Sequence, residues 1–143
     1  MLVRFLALAA VLSSSAAFAA DAPRQSGRQL LSTEVTASGQ PITPPAGPMQ
    51  VTATLSELAP GETTPLHKHP YLRYDYVLEG RLSVTNFDTG KTDIVAAGQF
   101  VVDPIGQWHQ GRAMDGHRVR LLIVDQAPVG QSNFVLKTEP AKP

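Results

Sequence analysis

Gly61-Glu-Thr-Thr-Pro-Leu-His67-Lys-His69 and, further along, Gly98-Gln-Phe-Val-Val-Asp-Pro104-Ile-Gly106-Gln-Trp-His109 are the two stretches that decide how this chain folds. In a strand, residues two apart share a face and stand about 6.6 Å apart along the backbone. His67 and His69, so placed, can turn both imidazoles toward one ion. His109 follows a turn punctuated by Pro104 and Gly106, so a second strand can bring it opposite the first pair. Imidazole suits zinc, copper, iron and nickel. A His-x-His with a distant third histidine therefore points to a first-row metal site inside a β-structure, with His67, His69 and His109 as its ligands.

Around these stretches the chain reads as strands. From Met49 the pattern has period two, with Val51, Ala53 and Leu55 set against Gln50, Thr52 and Thr54. Further strand-like runs cover residues 74–78, 81–87, 92–95, 100–102, 107–112 and 119–125. Pro60-Gly61, Glu79-Gly80, Asp88-Thr-Gly90, Ala97-Gly98 and Asp115-Gly116 separate them as turns. Many short strands at regular spacing make an all-β sandwich or barrel. A first strand is expected over residues 30–36, before the Pro-rich loop Pro41-Ile-Thr-Pro44-Pro45. Neither a repeat nor a long helix is evident.

The two stretches resemble the two motifs of the cupin family. The first motif runs glycine, five residues, His-x-His, three or four residues, glutamate, six residues, glycine. Gly61, His67, His69, position 73 and Gly80 match its spacing, but Arg73 stands where the family has its glutamate ligand. The second motif is matched by Gly98, Pro104, Gly106 and His109, with Ala113 in place of its closing asparagine. The motifs cover residues 61–113, and the surrounding strands extend the likeness to about residues 49–126. The resemblance implies an all-β double-stranded β-helix, or jelly-roll barrel, over residues 49–136. It also implies one divalent transition metal (iron, manganese, nickel, zinc or copper) on His67, His69 and His109.

Alternation then fills the interior. The resemblance puts position 73 inward, which places Asp75 and Val77 inward with it and Tyr74, Tyr76 and Leu78 outward. On the second strand, Gln107 and Gly111 share a face with His109, and Trp108 points away. Arg73 carries the most chemical information. A divalent ion and a guanidinium about 5 Å apart repel by roughly 7 kcal/mol at an effective dielectric of about 20. An anion must offset this. Either Arg73 grips an anionic ligand bidentately beside the metal, or it pairs with Asp75 and braces the barrel. Arg73, Asp75 and Gln107 are thus the candidate substrate-binding residues.

The N-terminus reads as a signal peptide over residues 1–19, with Arg4, an apolar run from Phe5 to Leu12 too short to span a bilayer, and the small-residue site Ala17-Phe18-Ala19. Residues 20–48 then form an N-terminal segment and residues 137–143 a flexible tail. The expected location is the periplasm or outside the cell. With no cysteine among 143 residues, disulfides and thiolate ligands are excluded. Twelve basic residues balance twelve acidic ones, and no basic run is present, which argues against nucleic acid or a membrane surface as partner.

Two functions fit this sequence. One is an exported metalloenzyme of cupin type, a dioxygenase or isomerase acting on an anionic small molecule. The other is a non-catalytic module that captures such a molecule with or without metal. Trp108 and the outward tyrosines offer an apolar surface for a homodimer. N-terminal sequencing of the exported protein is expected to begin at Ala20 or Asp21; a retained Met1 would remove the case for export.

Overall fold

The period-two pattern is realised as nine strands in a computed structural model that describes residues 26–138. They are β1 (Met49–Leu58), β2 (His67–Lys68), β3 (Leu72–Glu79), β4 (Arg81–Asn86), β5 (Thr92–Ala96), β6 (Phe100–Val102), β7 (His109–Ala113), β8 (Val119–Pro128) and β9 (Val135–Leu136). They form two antiparallel sheets, ordered β1-β8-β3-β6 and β5-β4-β7-β2-β9. This is an all-β jelly roll, in which two sheets close over one another and few edges stay unpaired.

Alternation sorts the side chains. Leu58, Val77, Leu82, Val119, Leu121 and Ile123 are buried between the sheets. Each such side chain contributes about 1.5–3 kcal/mol on burial. Register keeps them there, since Val77 faces Leu121 and Asp75 faces Ile123 across β3 and β8, and a one-residue slip would turn every one of them outward. On the far side of the four-stranded sheet, Val51 and Leu55 remain 63% and 67% exposed, beside the half-buried Leu122, Val124, Tyr74 and Tyr76.

The expected strand over residues 30–36 is not formed. Val35 makes a single bridge to Pro41, and Leu30 and Leu31 are exposed. Two adjacent leucines cannot alternate, and the chain folds back at once through the Thr36 amide bond to the Gln40 carbonyl (2.9 Å). A ninth strand was not legible: β9 pairs with β2, and the Lys137 amide still donates to the Leu66 carbonyl (3.0 Å). Residues 1–19, read as a signal peptide, lie outside the described residues. Trp108 is no open apolar patch either, because the ammonium groups of Lys68 and Lys137 lie 4.6 and 5.5 Å from its ring centre.

The closing glycine of the first motif has a steric cause. Gly80 links β3 to β4 at φ +82°, and a Cβ there would collide with the Arg118 carbonyl oxygen. Gly80→Ala combines left-handed strain of about 1–2 kcal/mol with overpacking of about 1–3 kcal/mol. Urea unfolding is expected to show a loss of at least about 2 kcal/mol; a change under about 0.5 kcal/mol would contradict the steric account.

Candidate metal centre

His67 and His109 are direct cross-strand partners in the β2–β7 ladder. His69 follows β2 and is tied by a parallel bridge to Ile105, where Gly106 at φ +71° donates its amide to the His69 carbonyl (2.7 Å). The second motif's Pro-x-Gly turn thus clamps the first motif's last histidine. The three ring centres form a near-equilateral triangle with sides of 4.9, 4.5 and 4.9 Å. All three side chains are buried, and one nitrogen of each lies within 4.8 Å of the others.

Backbone carbonyls set the tautomers. His67 donates Nδ1–H to Pro65 (2.7 Å), His69 to Asn133 (2.6 Å) and His109 to Gln107 (2.9 Å). A carbonyl can only accept, so the proton sits on Nδ1 and each Nε2 keeps a free lone pair. Metal-ligating histidines are usually held in this way. His69 Nε2 is buried with no hydrogen-bond partner among the described residues, and an orphaned buried acceptor is costly unless something coordinates it. Burial pushes the His67 imidazole down to about 4 and His69 to about 2, with the Arg73 charge adding to both. Both rings therefore stay neutral, as ligands must. The donor set fits a first-row transition ion.

The cluster opens on a cavity of about 200 Å³. Its lining combines aliphatic side chains, including Leu58, Leu82, Leu121 and Ile123, with polar ones, including His67, His109, Arg73, Asp75 and Asp103. Phe134 stacks on His67 (centres 4.6 Å apart, planes at 27°). That volume is below the roughly 300–1,000 Å³ of sites for drug-sized ligands, so an occupant must be small.

Arg73 points inward from β3, but its partner is Asp125 on β8 rather than Asp75. Its Nε and Nη2 donate to the two carboxylate oxygens at 2.8 and 2.7 Å. The pairing follows from register, since Arg73 and Asp125 face each other across the ladder. Asn133 extends the network, donating to Asp125 (2.6 Å) and to the Leu72 carbonyl (3.1 Å) and accepting from the Tyr71 amide (2.8 Å). Removing one partner of so buried a pair costs about 3–5 kcal/mol. Nη1 of Arg73 has no hydrogen-bond partner among the described residues. Asp75 lines the cavity, and its Oδ1 is buried without a partner. The Gln107 side chain turns away from the cavity to accept from Asn86 Nδ2 (2.8 Å), so this residue serves the site through its carbonyl alone.

Asp103, Asp125, Asn133 and Phe134 were not found from sequence. Asp103 could have been, because it lies in phase with the inward Val101 within the second motif. The others depend on pairing between distant segments.

The profile of the family described as "Cupin domain" matches residues 54–125. Among solved structures, an oxalate oxidase in complex with the substrate analogue glycolate aligns at 25% identity with a TM-score of 0.51, covering 60% of this chain and 45% of that one. The DMSP lyase DddQ from Ruegeria pomeroyi aligns at 21% identity and TM-score 0.52, covering 60% and 42%. A double-stranded β-helix protein from Klebsiella pneumoniae aligns at 22% and 0.51, covering 60% and 69%. This chain therefore spans under half the length of the oxidase and of the lyase. Among curated proteins none matches.

The position of Asp75 gives a pH test. Burial, and then the neighbouring Asp103, hold its carboxyl well above the ordinary 3.8. A raised folded value means that its contribution to stability is complete below 3.8 and is lost as pH rises through the folded value. Asp75→Asn removes the charge, so it is expected to raise the melting temperature, and by more at pH 8 than at pH 5. A mutant less stable than wild type at pH 8 would show that the charged form is held favourably.

Proposed function

The chain belongs to the cupin family, and from that premise we propose that it holds one divalent transition metal on Nε2 of His67, His69 and His109 and presents it to a small anionic molecule as an oxidoreductase of dioxygenase type. The observation that carries this is the convergence of three lone pairs whose tautomers the backbone has already fixed. A bound ion would supply Lewis acidity and open positions for a donor ligand. The protein's own part is to hold the occupant. Nη1 of Arg73 donates to a carboxylate or enolate, and the aliphatic part of the lining excludes water from its other end. The glycolate bound in the oxalate oxidase neighbour supports a small carboxylate as the ligand class.

A non-catalytic binding module is the second reading. It is favoured by Asp125, which already occupies two of the donors of Arg73, and by Phe134, which covers His67. Export, supported by residues 1–19, and a homodimer through the apolar outer face around Val51 and Leu55 belong to the same proposal.

Protein purified without chelators is expected to carry about one equivalent of metal, and His109→Ala to lose it, measured by elemental analysis. Oxygen uptake with small carboxylates or diketones is the expected sign of catalysis. Stoichiometric metal with no turnover would favour the module, and protein that takes up no metal at all would end the metal reading.

A further inference from the structure

Arg73 stands where the family has its glutamate, and another acid, Asp103, lies near the histidines. β3 and β6 run antiparallel, with Asp75 facing Val101 and Tyr74 facing Val102. One step further the Asp103 amide donates to the Arg73 carbonyl (3.0 Å), so residue 103 stands directly across the ladder from residue 73. Facing residues in such a ladder have side chains roughly 5 Å apart. Asp103 is therefore an acid just past the end of the neighbouring strand, level with Arg73.

Its carboxylate points at the histidines. Asp103 Oδ2 lies 3.5 Å from His69 Nε2 and 3.8 Å from His109 Nε2. Both gaps exceed the roughly 2.7–2.9 Å of a charge-assisted hydrogen bond, and His69 Nε2 has no hydrogen-bond partner among the described residues. The imidazoles have also committed their Nδ1 protons elsewhere. Asp103 thus comes within 3.8 Å of two of the three imidazoles without bonding to either, a separation compatible with ligands that share one ion. Two donors each about 2.1 Å from one ion stand about 3.4 Å apart in a tetrahedron.

We propose that Asp103 is the fourth protein ligand of the centre, supplying from the position just after β6 the carboxylate that arginine displaces from β3. The inference rests on the three-histidine reading above and adds a negative donor to it. It also accounts for how a cation can sit near Arg73. Asp125 neutralises the guanidinium from one side, and Asp103 supplies charge to the ion from the other. Three imidazoles and one carboxylate would complete a tetrahedron, and a small ligand would then join by expanding the coordination to five.

Calorimetric titration of the chelator-stripped full domain with cobalt(II) tests this directly. Wild type is expected to bind one equivalent. Asp103→Asn, which keeps the size of the side chain, is expected to weaken binding about a hundredfold, to change the visible cobalt spectrum, and to leave the melting temperature of the metal-free protein no lower than wild type. Equal affinity within about threefold and an unchanged spectrum would overturn the role of Asp103 while leaving the three-histidine site intact. Failure of wild type itself to bind would overturn both. Should the variant not fold, a crystal of zinc-loaded wild type decides: an Asp103 oxygen about 2.0–2.2 Å from the ion is expected, and one beyond about 3 Å rejects the assignment.

Discussion

The buried pair of Arg73 and Asp125 is the constraint on which the arrangement of the site depends. It joins β3 to β8, and Asp125 in turn fixes Asn133. Asn133 ties the loop before β9 to Tyr71 and Leu72 through its side chain and holds the ring of His69 through its carbonyl. The tautomer of one histidine of the cluster is thus set at the end of a chain of hydrogen bonds that begins at an arginine. Buried polar networks of this kind rigidify a core when every member is satisfied. Here the members that stay unsatisfied, His69 Nε2 and Asp75 Oδ1, are buried at the cluster and along the cavity.

The same pair gives residue 73 two duties that conflict. A guanidinium gripped by Asp125 is a brace, and under the proposed function its Nη1, unpaired among the described residues, is also a donor. The planar fork of arginine allows both, because a bidentate grip uses two of its nitrogens and leaves the third. A lysine could also reach two acceptors, but from a single nitrogen and without the fixed fork geometry. The carboxyl groups of Asp75, Asp103 and Asp125 surround the Arg73 guanidinium, and of the three only Asp125 bonds to it.

The C-terminal segment closes the arrangement. β9 adds to β2 at the edge of the five-stranded sheet, and the loop before it carries both Asn133 and Phe134. Phe134, 41% exposed, stacks on His67 from a short connection, while His67 and His109 sit on paired strands and His69 follows β2 directly. Histidines held on the scaffold and an aromatic cover carried on a loop match the general division between rigid support and variable function.

Much of this was legible in the residues. Period-two alternation and glycine-marked turns gave the all-β class and most strand positions, because a half-buried strand writes its faces into every second residue. The spacing of His67, His69 and His109 gave the cluster, since a strand fixes which side chains share a face. The pairing of Arg73 with Asp125, the stance of Asp103 across from Arg73, and the return of the C-terminal segment over the histidines were not legible. Each depends on which strands become neighbours and in what register. That is decided by how the two sheets bury their apolar faces together, a property of the whole chain that no single stretch of it contains.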